Sequence, residues 1–202
     1  MNGSGGNVAG CATCAGRCCR EYRVQVTAAD VRTLAAGTAL HPSDFVRLEE
    51  AKGDRGFRLW PGGPPNELHL IRHTATGACV FLMEIAPDIA RCGVYAARPL
   101  VCSNFPTALQ SGAVGIRDGV KCGPGAWNLA TMDVTKYRRD LVRSDAAWKE
   151  HWKLVNAWNN AIEGLSRQAS PTNLYDFLLS HTPDEEQAGP AGVSQHDESA
   201  GR

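Results

Sequence analysis

The feature that most constrains this chain is a dense cluster of cysteines near its start. Cys11, Cys14, Cys18 and Cys19 place four thiols within nine residues. A thiol set this localised needs a chemical reason, and three are available: disulfides, thiol redox chemistry and metal binding. The chain has eight cysteines, and the other four follow singly at Cys79, Cys92, Cys102 and Cys122.

Length and charge limit the classes of partner. The chain has 202 residues, enough for one globular domain, and its formal net charge is zero. A neutral balance gives no support for a nucleic-acid partner. No run of about 18 apolar residues is present, so no membrane span is expected. The N-terminus lacks the basic start and apolar core of a secretory signal, which predicts a reducing cytoplasm.

Two explanations of the thiols are minor alternatives. Eight cysteines would suit four disulfides, but disulfide scaffolds are usually much shorter chains. The unit from Cys11 to Cys14 has Cys-x-x-Cys spacing, which is typical of thioredoxin-like redox sites when it follows a strand and opens a helix. Here it follows a glycine-rich segment and leaves six cysteines unexplained.

Metal binding accounts for more of the pattern. Structural zinc sites usually pair two Cys-x-x-Cys units, whereas this chain has one. Iron–sulfur clusters tolerate dispersed cysteines better, but three residues separate Cys14 from Cys18, so the common ferredoxin run is not matched. In an extended chain Cys18 and Cys19 would point to opposite faces. We therefore expect this pair to serve two centres, or one centre and a reactive spare.

The N-terminal half predicts a mixture of helices and strands. Alternation over residues 21–27 indicates a short strand. Thr27 with Asp30 three residues later predicts a capped helix that ends near Gly37. Further patterns predict a second short helix over 45–52, a strand over 56–60, a turn over 61–65 and a return strand over 68–73. The segment from Cys79 to Pro124 is expected to be rich in loops.

The C-terminal part predicts helices. One covers 132–142, and Ser144 is a candidate N-cap for a longer helix over 145–165. Trp148, Trp152, Val155 and Ile162 form one apolar stripe on it. A short helix over 173–180 follows Ser170, with three apolar residues directed inward: Leu174, Phe177 and Leu178.

Together these patterns predict a small, loop-rich α+β domain that is organised by metal, with short strands and a C-terminal helical segment. We expect a disordered N-terminus over 1–10 and a disordered tail over 183–202. Between them lie a cysteine-cluster metal-binding domain over 11–127 and a helical segment over 128–182. The helical segment is expected to pack on the domain through Trp148, Trp152 and Leu174.

The cysteines also form part of a longer motif. Cys79-Val-Phe-Leu82 is followed by Cys92-Gly-Val-Tyr-Ala-Ala-Arg-Pro-Leu-Val-Cys102-Ser-Asn-Phe-Pro106 and then by Cys122. With the cysteine stretch at 11–19 and the pair Thr27 and Asp30, the chain resembles the bacterial YkgJ-like cysteine-cluster family of CxxCxxCC type, which is described as zinc- or iron-chelating. The chain departs from that pattern in an extra residue before Cys18, in Ser103, and in a long gap after Cys79.

The resemblance implies metal chelation over about residues 11–122. The cofactor it implies is an iron–sulfur cluster, with the 4Fe–4S type among the candidates, or zinc. Similar domains occur in flagellin lysine methylases, which implies a link to protein modification in some relatives. The predicted metal ligands are Cys11, Cys14, Cys18, Cys19, Cys79, Cys92, Cys102 and Cys122.

Several other residues have a structural and a functional interpretation. Arg98 either orients the loop between Cys92 and Cys102 or is an exposed arginine beside a turn. Tyr95 is expected in the core. His69 and His73 fall on one face of the predicted strand, but surface or hydrogen-bonded histidines are the more common case. Core packing is the expected role of the tryptophans.

Three functional hypotheses remain open. The leading one is a metal-binding protein, iron–sulfur ahead of zinc, that serves electron transfer or redox sensing. The second is a metal-dependent enzyme or protein-modification factor, although no catalytic constellation stands out. The third is a structural zinc domain that serves as an interaction module.

Because metal binding contributes folding free energy in such sites, the metal-free protein is predicted to fold poorly. Thermal unfolding followed by circular dichroism, before and after chelation, checks this. A demetallated sample that retained the full thermal transition would contradict it.

Overall fold

The helices and strands are short except for one long C-terminal helix. The computed structural model describes residues 14–122, 126–165 and 167–181. The predictions for residues 1–10, for residues 183–202 and for Cys11 lie outside the described residues. The helices are α1 (Arg17–Glu21), α2 (Ala28–Thr38), α3 (Leu100–Asn104), α4 (Val134–Ile162) and α5 (Pro171–Ser180). The strands are β1 (Val46–Glu50), β2 (Asn66–Leu70), β3 (Leu82–Ala86), β4 (Ile89–Cys92), β5 (Thr107–Gln110) and β6 (Ala113–Ile116).

The strands form three separate antiparallel pairs, β1 with β2, β3 with β4 and β5 with β6. Together with the helices they confirm the predicted small α+β fold. No helix in the described part of the chain has the length and apolar character needed to cross a membrane.

One hydrophobic core joins α2, the β1–β2 pair, α4 and α5. Leu34, Leu68 and Leu174 are completely buried, and each contributes about 1.5–3 kcal/mol through removal from water. The remaining core is made by residues of the same elements and by five residues outside them, namely Val26, Phe45, Phe57, Cys79 and Ala169. The helical segment therefore shares its core with the N-terminal part of the chain.

Helix α2 begins as predicted. Thr27 Oγ1 accepts a hydrogen bond from the backbone N–H of Asp30 at 3.2 Å, and Asp30 Oδ2 accepts one from the N–H of Thr27 at 2.9 Å. This reciprocal pair satisfies two N–H groups that a helix start leaves without partners. The helix ends at Thr38, one residue beyond the predicted end.

The predicted helix over 45–52 is wrong, because this segment is strand β1. Val46 and Leu48, two residues apart, are turned toward the core, and Val46 pairs with Leu70 of β2. The helix-start signal at 42–44 forms only a single 3₁₀ turn, Pro42–Asp44. Pairing with a distant strand decides the conformation here, and a local pattern does not reveal it.

Two predicted strands are reduced to isolated bridges. The segment over 21–27 is partly helix α1, and only Gln25 bridges to His69 of β2. In the segment over 56–60, Phe57 alone bridges to Asn66. The predicted return strand over 68–73 is β2, which begins earlier and ends at Leu70. The loop-rich segment after Cys79 contains more regular structure than expected, namely two strand pairs and α3.

Helix α4 is a single helix where two were predicted. It begins after Asp133, whose side chain accepts a hydrogen bond from the N–H of Lys136, and it continues through Ser144 without interruption. The buried positions of α4 lie on both sides of Ser144. Serine often caps helices, but here it lies in the interior of one helix. The buried positions are Asp140, Ala147, His151, Val155, Trp158 and Ile162. Trp148 and Trp152 are half-buried.

A neutral histidine is buried where α4 meets α2. The backbone N–H of Ala28 donates to His151 Nδ1 at 3.1 Å. The rings of Phe57, Trp148 and Trp152 lie within 5.3 Å of the imidazole, between ring centroids. Burial lowers the pKa of His151 to about 4, because the charged imidazolium would have to be desolvated.

We predict a loss of stability below pH 6.5 that depends on His151. The folded-state pKa lies below the ordinary 6.5, so the unfolded chain binds the proton first as pH falls. The contribution of neutral His151 to the free energy of unfolding is complete above pH 6.5. It is lost as pH falls toward 4, which lowers the free energy of unfolding by about 3 kcal/mol. Urea unfolding at a series of pH values checks this.

The variant His151→Asn retains an acceptor near Nδ1 and does not titrate, so its stability should fall less over the same interval. His73→Asn, at an exposed position, is the matched control and should follow the unmodified chain. Equal pH slopes for the two variants, measured at the same metal content, would contradict the prediction.

Candidate metal centre

Six cysteines from four stretches of chain line one cavity. Cys14 precedes α1, and Cys18 and Cys19 lie within it; Cys79 precedes β3, Cys92 ends β4 and Cys102 lies in α3. The volume of the cavity is about 500 Å³. The structure therefore places six of the eight predicted ligands around one space: Cys14, Cys18, Cys19, Cys79, Cys92 and Cys102.

Backbone hydrogen bonds connect these stretches. The N–H of Cys79 donates to the carbonyl of Cys19 at 2.8 Å, and the N–H of Ala90 donates to the carbonyl of Cys14 at 3.0 Å. Arg72 donates to the carbonyl of Arg20 in the last turn of α1 and to that of Tyr22, the residue after the helix. Helix α1 is thus fixed against the segments that carry Cys79 and Cys92.

Glycine is required where α1 begins. Gly16 has a φ of 71°, in the left-handed region. A Cβ atom at this position would lie 2.6 Å from a methyl carbon of Leu82 and 3.2 Å from Cβ of Ala90. The close approach of α1 to the β3–β4 pair therefore depends on the absence of a side chain.

Cys18 and Cys19 are neighbours on a helix, so the premise of an extended chain at this pair is wrong. Successive helical residues are rotated by about 100° rather than 180°. The two sulfur atoms are 4.0 Å apart. Both thiols line the same cavity, and the expectation that they face two separate centres loses its geometric basis.

The two adjacent thiols differ in acidity. The hydrogen bond from the Cys19 thiol lowers the pKa of Cys18 to about 7, with smaller help from backbone N–H groups and the positive charge of Arg98. The same hydrogen bond, together with burial, raises the pKa of Cys19. Cys18 is therefore the more acidic thiol of the pair.

Burial raises the pKa of three further cavity thiols, those of Cys79, Cys92 and Cys102. Several buried thiolates repel one another, and proximity to other cysteines adds to the increase for Cys79 and Cys102. A cation in the cavity would reverse this balance, because it stabilises deprotonated sulfur.

The donor set fits a thiolate-bound metal by its chemistry and shared location. Cysteine sulfur selects zinc, copper(I) and iron–sulfur centres over magnesium or calcium. All seven cysteines in the described part of the chain are free thiols. Among the described residues, however, no three histidine, cysteine or acidic side chains already form a set that could hold one ion. Ion binding would therefore draw these sulfurs closer together.

Cys122 differs from the other described cysteines. It is half-buried and is not among the residues that line the cavity. Burial raises its pKa, and the indole N–H of Trp127 opposes this by favouring the thiolate. Cys122 lies at the periphery of the thiol set.

Other residues singled out in the sequence have varied positions. Arg98 stacks over the ring of Tyr95 at 4.1 Å and lines the cavity. Tyr95 is 46% exposed, so its expected place in the core is wrong. His69 is hydrogen-bonded to Glu67 at 3.1 Å and His73 is exposed, and neither lines the cavity.

Asp30 has a second role that the sequence did not reveal. Its Oδ1 accepts a hydrogen bond at 2.8 Å from the N–H of Leu100, the first residue of α3. Its Oδ2 accepts from Thr27, and the side chain is almost fully buried. The carboxylate therefore caps α2 and also fixes the helix that carries Cys102.

We predict that Asp30→Asn destabilises the protein by about 1–3 kcal/mol, because its amide group would place a donor against a backbone N–H. Urea unfolding of the metal-loaded protein measures the change. The control Asp145→Asn removes a carboxylate from an exposed pair with Lys149 and should change stability by less than about 1 kcal/mol. Equal losses would contradict the capping role.

Comparison with known proteins agrees with this geometry. The model of the CxxCxxCC family, described as "Putative zinc- or iron-chelating domain", matches residues 10–135. No curated protein and no solved structure shows significant similarity. The matched region contains all eight cysteines and extends to the first residues of α4. The chain therefore belongs to the CxxCxxCC family.

Proposed function

We propose that this protein chelates zinc or iron through its clustered cysteine thiolates. The observation that carries the proposal is the arrangement of six thiols around one cavity. Thiolate is the ligand that both metals accept in proteins. Membership of a family described in terms of zinc or iron chelation supports the same chemistry.

The spacing of Cys18 and Cys19 supports a metal atom shared by both. At a metal–sulfur distance of about 2.3 Å, two sulfurs of a tetrahedral site are about 3.8 Å apart. The observed separation of 4.0 Å is close to this value. In a 4Fe–4S cluster with four cysteines, each iron takes one protein thiolate. The pair therefore suits single-ion zinc or iron, or a two-iron cluster, better than a four-iron cluster.

The nature of the metal determines the biological role that we propose. Iron, alone or in a cluster, would serve electron transfer or redox sensing, and zinc would stabilise the fold. The free thiols suit a reducing compartment such as the cytoplasm. A second candidate is a metal-dependent enzyme, and the space beside the thiols favours it, because an open position at a metal needs room for a substrate.

Purification without oxygen tests the proposal. Metal and sulfide analysis, with a visible spectrum, should show stoichiometric zinc or iron. A colourless zinc protein would identify a single-ion site, and a brown protein with iron and sulfide would identify a cluster. Protein that contains only trace metal, before and after reconstitution with either metal, would overturn the proposal.

We predict that Cys18→Ser weakens metal binding by more than about tenfold, because outer-shell substitutions alone have effects of that size. Competition with a chromophoric chelator measures the affinity. Cys122→Ser is the matched control: the chemical change is the same, but the thiol is outside the cavity lining, so a smaller loss is expected. An equal or larger loss at Cys122 would show that the centre is not built around the cavity thiols.

A further inference from the structure

The cavity beside the thiols is larger than a metal ion requires. Its volume of about 500 Å³ lies within the range of about 300–1,000 Å³ that is common for small-molecule sites. In a structural zinc site the ligands close around the ion. A single ion would occupy only a small part of this volume.

Much of the cavity wall is apolar and comes from elements that are distant in sequence. Phe81, Val94, Phe105 and Trp148 all line it. The ring of Phe105 packs against that of Tyr22, with centroids 5.4 Å apart. Trp148 belongs to α4, which carries no cysteine. An apolar molecule of moderate size would be removed from water against these rings.

Charged side chains of the lining are mostly arginines. Arg98 is half-buried and Arg117 is exposed. Neither forms an ion pair with a carboxylate in the described part of the chain, unlike Arg23, which pairs with Glu49 at 3.0 Å. The Nε–H of Arg117 donates to the carbonyl of Thr107 at 3.1 Å, which fixes the guanidinium group.

These two arginines have different surroundings. Arg98 is half-buried and stacks over the ring of Tyr95 at 4.1 Å, so its guanidinium group already has a partner. Arg117 is exposed as well as part of the lining, which places it at the mouth. A planar guanidinium group matches a carboxylate in a two-point hydrogen bond.

We propose that the cavity binds a small apolar carboxylic acid. The carboxylate is held at the mouth by Arg117, and the apolar part lies against Phe81, Phe105 and Trp148. A monoanion suits the site better than a phosphate dianion, because the exposed carboxylate of Asp118, next to Arg117 in the chain, also lines the cavity and would repel a second negative charge. This binding site goes beyond metal chelation and can be tested separately from it.

Isothermal titration calorimetry of the metal-loaded full chain tests the proposal, with 4-phenylbutyrate as the probe and 4-phenylbutyramide as its neutral counterpart. We expect saturable one-to-one binding of the acid and about tenfold weaker binding of the amide, as for loss of a charged hydrogen-bond partner. Absence of saturable binding up to the solubility limit, or equal affinity for the two compounds, would overturn it.

Variants then identify the charge that is responsible. Arg117→Gln should weaken binding of 4-phenylbutyrate about tenfold and leave the metal content unchanged. Arg138→Gln makes the same change at an exposed position of α4 outside the cavity lining and should have no effect. Equal affinities for the two variants would overturn the assignment. A metal-loaded protein that fails to bind the acid refutes this inference alone, whereas a metal-free protein refutes the proposed function.

Discussion

The candidate centre depends on the backbone hydrogen bonds that hold α1 in place. The bonds from Cys79 and Ala90 to the carbonyls of Cys19 and Cys14 join segments about 60 to 75 residues apart in sequence. They require a short helix that approaches the β3–β4 pair closely, and Gly16 permits that approach. Main-chain contacts thus bring the thiols together, and the side chains are free to serve as ligands.

The hydrophobic core and the thiol-lined cavity are adjacent but differ in composition. The core is filled by aliphatic and aromatic residues of α2, β1, β2, α4 and α5. The cavity is formed by short elements between Cys14 and Val120, with Trp148 added from α4. Cys79 belongs to both, since it is buried within the core cluster and also lines the cavity. Leu70 is likewise shared, and Cys19, Phe81 and Val94 of the lining pack against the core, so changes in the cavity can reach the core through several residues.

Local signals in the sequence were sufficient where the structure is determined locally. The cap formed by Thr27 and Asp30 was found because it depends on residues three positions apart. The predicted short helix after Ser170 is α5, which begins at Pro171, two residues earlier than predicted. Strand β1 was missed because its partner β2 lies twenty residues away. The bond from Asp30 to Leu100 spans seventy positions, and no pattern in one sequence announces such a pair. The cysteines were identified as a set, but their division between the cavity and its periphery needed coordinates.

Helix α4 has a mechanical consequence for the molecule. It has 29 residues and is therefore about 43 Å long at about 1.5 Å per residue. Trp148 lies in the cavity wall, while Val155 and Ile162 lie in the core farther along the same helix. An unbroken helix moves largely as a rigid body. A displacement of α4 at Trp148 would therefore change how the same helix packs against α5. A filled cavity and an empty one would then differ in protection of the α5 amides, although no residue of α5 lines the cavity.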